Sequence, residues 1–267
     1  PKTIDNDLPE TDHCPGYPSL ARYLAVSVRD AIYDTLASPQ LYPVKLICVM
    51  GRDAGWVAAS AALAFDEDEA DLTPLIYFPE SPPESAEAVV AEIATRVSQQ
   101  GWVVAVVPET LRDAAGRHLG GDEPEYVDPF GHPYFAQPAV TLVRRVTELT
   151  GLRARFERPG TAARMSIALA SPIDLDEAER VGRAAVDAIM RGESDIMTTI
   201  VRVADSPYRS EISTVPLERI ANRVRPFPPE FLGSDGRSIM SAFRRYALPL
   251  LGPEPFPRYG RLLDLRV

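Results

Sequence analysis

The sequence predicts an α/β protein in which parallel-sheet layers carry helices on both faces. Three observations lead there. Val44-Lys45-Leu46-Ile47-Cys48-Val49-Met50 and Trp102–Pro108 are near-continuous apolar runs, the pattern of strands buried on both faces. Segments with apolar residues near a 3.6-residue spacing stand between and around them. The resulting order of strand, helix, strand, helix, strand is that of a parallel sheet with crossover helices.

Taken in order, residues 1–17 read as a polar loop ending in Pro15-Gly16. Residues 18–38 read as a helix with Pro18 and Ser19 at its start, where a missing N–H is tolerated. The strand at Val44 runs into Gly51-Arg52-Asp53-Ala54-Gly55 and an Ala-rich helical stretch to about Phe65. Leu72–Pro79 reads as a second strand and 83–100 as a helix. Trp102–Pro108 is a third strand, with Glu109 at its carboxyl end. Residues 110–135, rich in Gly, Asp and Pro, read as irregular, a length that suits a functional flap. Helix 136–150 and strand Arg153–Glu157 follow. The clearest helix is 174–191, with Asp174 as cap and Glu177 three positions on; its paired aspartates and arginines read as a solvated face. Asp195–Val203 alternates as a strand, and Glu218–Val224 and Ser238–Leu248 are further helical segments.

At 267 residues the chain can hold one large domain or two modest ones. Its 26 prolines cluster (Pro79, Pro82, Pro83; Pro226, Pro228, Pro229; Pro249, Pro253, Pro255, Pro257) and mark turns and connectors. The net charge of −10 argues against a nucleic-acid or anionic-membrane surface. Phosphate substrates remain open, because a local arginine cluster can dominate an acidic chain. Two cysteines, Cys14 and Cys48, make no framework and fit a reducing, cytoplasmic setting. With only His13, His118 and His132, a dedicated zinc site is not expected. Cys48 reads as a small buried apolar residue. No apolar run approaches a membrane span.

The chemistry concentrates in Pro1-Lys2-Thr3-Ile4-Asp5-Asn6-Asp7. Two aspartates at i and i+2 in a loop can divide labour: one takes a proton, the other holds a divalent metal. A neighbouring lysine can neutralise phosphate charge. This is a phosphoryl-transfer kit, although Asp-Asn-Asp by itself is also an ordinary Asx turn. Open α/β sheets bind ligands beyond the carboxyl ends of their strands. Met50-Gly51-Arg52 and Glu109 are expected at two such ends.

The heptad resembles the catalytic loop of the phosphofructokinases, in particular the pyrophosphate-using branch. The resemblance extends through Thr11-Asp12-His13-Cys14-Pro15-Gly16-Tyr17, Val49-Met50-Gly51-Arg52 with Gly55-Trp56, and Pro108-Glu109. It continues through Arg155, Pro159-Gly160-Thr161-Ala162-Ala163-Arg164, Ala221-Asn222-Arg223 and Phe231–Gly236. It implies transfer of a phosphoryl group from pyrophosphate to the 1-hydroxyl of fructose 6-phosphate, with Mg2+. Asp5 would be the general base, Lys2 would stabilise negative charge in the transition state, Thr3 would hold the transferring phosphoryl group or the sugar, and Asp7 would help position the metal. Met50, Gly51, Arg52, Glu109, Arg155, Thr161 and Arg164 would bind the sugar phosphate. Lys2, where many ATP-using relatives carry Gly, favours pyrophosphate. The alternatives are an ATP-dependent 6-phosphofructokinase and a non-catalytic sugar-phosphate-binding or assembly fragment.

The resemblance also implies a homo-oligomer, since one phosphate-binding arginine of bacterial relatives comes from a neighbouring subunit. The family's catalytic loop lies well inside the protein, so the N-terminal part of the fold is expected to be missing. The expected division is 1–17 as catalytic loop of the donor-side domain, 18–200 as sugar-phosphate-binding α/β domain, and 201–267 as a segment packing back on the donor side. Departures are Pro43 where relatives have a phosphate-binding arginine, Thr161 in place of a histidine, Pro18 in place of a small residue, and Cys48 where a glutamate is common. The family's Gly-rich donor turn has no match: Gly120-Gly121-Asp122 follows no strand. The 267 residues alone are therefore expected to be inactive.

Overall fold

A computed structural model describes residues 1–121, 123–127, 129 and 133–252. After the opening loop come α1 (Tyr17–Ala37), β1 (Val44–Val49), α2 (Trp56–Ala59), β2 (Leu75–Ile76), α3 (Ala86–Gln100) and β3 (Val103–Pro108). Then follow β4 (Pro124–Val127), β5 (Pro133–Phe135), α4 (Pro138–Thr150), β6 (Ala154–Glu157) and α5 (Ala162–Met165). The last elements are α6 (Pro172–Met190), β7 (Ile196–Asp205), β8 (Tyr208–Pro216) and α7 (Ser241–Ala247).

Four strands form a parallel sheet in the order β2-β3-β1-β6. The central strands β1 and β3 pair from Val44↔Val103 to Val49↔Pro108 and are buried along their whole length. Their side chains alternate between two cores, so both faces demand apolar residues and the sequence shows runs. On one face α1 and the Ala-rich stretch Trp56–Ala64 cover Ile47, Val49, Val104 and Val106. Helix α1 does this with a stripe of Tyr17, Leu20, Leu24, Val28 and Ile32, at helical spacing. Truncating one of its members, Leu24→Ala, would cost about 2–5 kcal/mol. On the other face α3 and α4 place Val89, Val90, Ile93, Leu142 and Val146 against Val44, Leu46, Cys48, Val103, Ala105 and Val107. Among the described residues no helix is long and apolar enough to cross a membrane.

Several elements differ from expectation. The second strand shrinks to Leu75–Ile76, because Glu67–Leu72 is taken by a 3-10 turn capped reciprocally by Asp66 and Glu69, and Pro79 offers no N–H. The Ala-rich stretch makes one short α-helical turn before tightening to 3-10 over Ser60–Ala64. The irregular region holds the antiparallel hairpin β4–β5, while Asp122, Asp128 and 130–132 (with His132) lie outside the described residues. The strand from Ile196 pairs antiparallel with β8, which the sequence reading missed because its Ser, Glu and Thr residues read as loop. Helix α6 is capped by Ser171, whose hydroxyl accepts from the Asp174 N–H at 3.4 Å, so Asp174 is not the cap. Asp174 instead accepts from the Gly16 and Ser19 N–H groups at 2.7 and 3.1 Å and pins the start of α1. The 218–224 helix is only a turn at Leu217–Arg219, stopped ahead of the proline cluster. The expected 200/201 division falls inside β7, and Pro253, Pro255, Pro257 and the rest of the C-terminal 15 residues lie outside the described range.

Candidate functional site

Adjacent strands β3, β1 and β6 end side by side, and the segments after them line one cavity of about 420 Å³. β3 delivers Glu109, β1 delivers Met50 and Arg52, and β6 leads into Arg158, Gly160, Thr161 and Arg164. The opening loop closes the cavity with Lys2, Thr3, Ile4 and Asp5, and Cys48 lies in its floor. The carboxyl-edge rule thus brings together most of the residues singled out from sequence.

The turn after β1 is built for this. Gly51 has φ +123°, a conformation that costs a side chain dearly, and a Cβ there would also press on Val57 at 3.1 Å. Arg52 itself is left-handed at φ +46°. This kink aims its guanidinium at the opening loop, where Nε donates to Asp5 Oδ2 at 3.1 Å and Nη2 to Asp7 Oδ2 at 3.2 Å. Burial raises the Asp5 carboxyl above its ordinary pKa, against the pull of Arg52. Burial likewise raises Glu109, with the Asp5 charge adding to it and Arg158, Arg52 and Arg164 opposing. Thr3 Oγ1 accepts the Asp5 N–H at 3.0 Å and so shapes the loop as well as lining the cavity.

The loop is held from behind. Asn6 is fully buried at φ +63°, accepts the Cys14 N–H at 2.9 Å and donates to the Tyr246 hydroxyl at 3.2 Å. Arg225 donates to the carbonyls of Asn6, Thr11 and Asp12 at 2.8, 2.7 and 2.8 Å, and stacks over Trp56 at 4.4 Å. His13 is completely buried between Asp12 (Nδ1 to Oδ2, 2.8 Å) and Glu177 (Nε2 to Oε2, 2.7 Å). Glu177 also accepts from the Tyr208 and Ser210 hydroxyls at 2.7 and 2.5 Å, and Asp12 from Arg202 at 3.0 Å. The His13 pKa rises, because its two carboxylate partners favour the cation and outweigh the burial that would lower it. Helix α6, expected to be a solvated face, thus turns Asp174 and Glu177 inward, reaches Ser210 of β8 with Arg180, and leaves Asp176, Glu179 and Arg183 exposed.

Among the described residues no group of three or more His, Cys, Asp or Glu could cage a metal. Asp7 nonetheless fits a shared one: its Oδ1 is buried without a hydrogen-bond partner. Mg2+ commonly takes one or two carboxylates and completes its shell with water and substrate phosphates.

Gly51 lies beneath the cavity and shapes it, and Asp7 stands behind Arg52. Arg155 is not brought into the cavity. It sits within β6 opposite Lys45, and its guanidinium lies on the Tyr42 ring, 3.3 Å from the centroid. Arg158 was missed by the sequence reading, although its position directly after a strand and before Pro159-Gly160 was a usable signal.

The phosphofructokinase family profile matches residues 1–189. The pyrophosphate–fructose 6-phosphate 1-phosphotransferase of Xanthomonas campestris is 39% identical over the whole chain, which covers 65% of that protein. That of Methylococcus capsulatus is 38% identical over 97% of the chain and 61% of its own length. The solved pyrophosphate-dependent phosphofructokinase of Nitrosospira multiformis superposes with a TM-score of 0.80 at 31% identity, over 97% of this chain and 61% of that one. The chain therefore spans 61–65% of the length of these relatives.

Proposed function

Since the chain belongs to the phosphofructokinase family, we propose that it carries the sugar-side chemistry of a pyrophosphate-dependent 6-phosphofructokinase. The observation behind this reading is the convergence of Lys2, Thr3 and Asp5 with Met50, Arg52, Glu109 and Arg164 around one cavity. In the reaction the fructose 6-phosphate 1-hydroxyl oxygen attacks the terminal phosphorus of pyrophosphate. A new O–P bond forms, the bridging P–O bond breaks and inorganic phosphate leaves. Asp5 accepts the hydroxyl proton, and its raised pKa brings it nearer to the working pH of a general base. Lys2 and Thr3 face the charge that spreads over the transferring group. Glu109 accepts hydrogen bonds from sugar hydroxyls, and Arg52, Thr161 and Arg164 hold the sugar phosphate, with Met50 as an apolar wall. Asp7, with Asp5 beside it, would hold Mg2+, which when bound neutralises phosphate charge.

Residues 1–17 would be the donor-side loop, and the sugar-phosphate-binding part would run from 18 to the β7–β8 hairpin, which keeps residues 200 and 201 in one element. The position of Arg155, outside the cavity of its own chain, supports a homo-oligomer in which it serves a neighbouring subunit. A cytoplasmic location belongs to the same reading. The test assays the intact protein for fructose 1,6-bisphosphate formation with Mg2+, using pyrophosphate and ATP in parallel. Turnover with pyrophosphate is expected, and Asp5→Ala should lower kcat by about 10²–10⁴-fold. Turnover with ATP alone overturns the donor, and none with either overturns the activity.

A further inference from the structure

We propose that Arg158, positioned by Gln137, is an anchor for the anionic far end of the sugar substrate. This inference rests on the sugar-phosphate reading above. Arg158 stands at the end of β6 and lines the cavity together with Glu109, Cys48 and Arg164. Its charge acts on Glu109 and on Cys48, whereas Arg164 acts on Glu109 and on Asp5. Glu109 thus feels Arg158, Arg52, Arg164 and Asp5 across one cavity, a mix of charges that suits a substrate carrying both a dianion and a reacting hydroxyl.

The partners of Arg158 set it apart from the structural arginines. Arg202 is paired with Asp12 and Asp205, Arg237 with Glu92, and Arg244 with Asp66. Arg52 is paired with Asp5 and Asp7. Among the described residues neither Arg158 nor Arg164 makes an ion pair. The Gln137 amide, its oxygen turned to the guanidinium, lies 2.7, 2.8 and 3.1 Å from Arg158 Nε, Nη2 and Nη1. A neutral oxygen against the guanidinium restrains it without cancelling its charge. Gln137 is in turn fixed as the N-cap residue of α4, directly before Pro138. A restrained guanidinium with no ion pair among the described residues, lining the same cavity as Arg164, suits a phosphate dianion, which accepts from forks bidentately. It also supplies positive charge that Thr161, a neutral residue, cannot.

The test compares wild type, Arg158→Gln, Arg158→Lys and Gln137→Leu in the intact protein. Steady-state kinetics are combined with direct binding of fructose 6-phosphate by calorimetry. Arg158→Gln should raise KM and Kd for fructose 6-phosphate about 10- to 100-fold, the equivalent of one charge-assisted contact. kcat and the KM for pyrophosphate should stay within about twofold, and Tm should hold, as for an exposed side chain. Arg158→Lys should recover part of the affinity, and Gln137→Leu should lose a smaller part with the same selectivity. Unchanged sugar-phosphate affinity in Arg158→Gln, with an active wild type, overturns the inference alone. Equal losses toward both substrates with a lowered Tm would show a structural role instead and overturn it too. A wild type that neither binds nor turns over fructose 6-phosphate overturns the functional reading, and this inference with it.

Discussion

Glu177→Gln tests whether the buried charges behind the opening loop hold it in place. The wild-type carboxylate closes a cluster in which His13 bridges Glu177 and Asp12, and Tyr208, Ser210 and Arg202 complete the hydrogen bonds. Glutamine keeps the shape and can still accept from Tyr208 and Ser210. Its negative charge is gone, however, so in either amide orientation the His13 imidazolium loses one of its two carboxylate partners. Removing one partner of a buried pair costs about 3–5 kcal/mol, and an isostere belongs at the low end. For a chain of this size about 3 kcal/mol lowers Tm by roughly 6–12 °C. The pH profile adds a sharper criterion. The pKa of His13 is raised in the fold, so its contribution is complete below its ordinary 6.5 and is lost as pH rises through the folded value. Glu177 and Asp12 are held below their ordinary 4.5 and 3.8 by His13 and Arg202 acting against burial. Their contributions are complete above those values and are lost as pH falls through the folded ones. The gap between wild type and variant should therefore be widest between 4.5 and 6.5 and should narrow on the alkaline side. Thermal melts by circular dichroism across that range read both features. A Tm difference under about 2 °C, or a gap that does not change with pH, would refute the reasoning.

Two further outcomes concern packing and thiols. A Cβ on Gly120 would fall 1.6 Å from the Ala136 carbonyl oxygen, so Gly120→Ala should destabilise by at least the roughly 1–3 kcal/mol of ordinary overpacking. Gly182 of α6 has open space around it, and Gly182→Ala should stabilise by about 0.4–1 kcal/mol; urea titration of both variants checks the opposite signs. Burial pushes the Cys14 and Cys48 thiols up to about 11 and about 12, so neither should react with a thiol reagent in mildly alkaline buffer until the protein is unfolded.

The legible parts of the fold were those whose physics is local. Val44–Val49 and Val103–Pro108 declare themselves because burial on two faces excludes polar residues from nearly every position. The site was legible for a related reason: a strand's carboxyl end predicts where Met50, Arg52 and Glu109 must go, whatever covers the sheet. Residues whose role depends on distant partners were not legible. Asp174 and Glu177 have the spacing of a helix start, and only tertiary contacts with Gly16, Ser19 and His13 show that they face inward. Strand β8 has too little apolar alternation to stand out, because it is only half buried and pairs with β7 alone. Arg155 and Arg158 are three residues apart, and the family resemblance singled out Arg155 and passed over Arg158. A strand reverses direction every residue, so a displacement of three, across the end of β6, puts one guanidinium on Tyr42 and the other in the cavity.

The same reasoning explains why so much structure stands behind seven polar residues. A loop with two carboxylates in sequence repels itself, and burying Asp5 makes its charge harder to keep. Arg52 offsets this in front by bonding both carboxylates, which also commits a cavity-lining side chain to the loop. Behind the loop the compensation is distributed. The Arg225 N–H donates to the Asp7 carbonyl at 2.7 Å while its side chain satisfies three more carbonyls. Asn6 is fixed by Tyr246 of α7, and Asp12 by Arg202 of β7. These partners lie about 190 to 240 positions away in sequence, so the loop can form only once the hairpin and α7 have docked. Because the anchors bind the backbone and Asn6, they leave the Asp5 carboxylate to Arg52 and the cavity. That separation lets the loop be rigid in its main chain and still present the Asp5 carboxylate to the cavity.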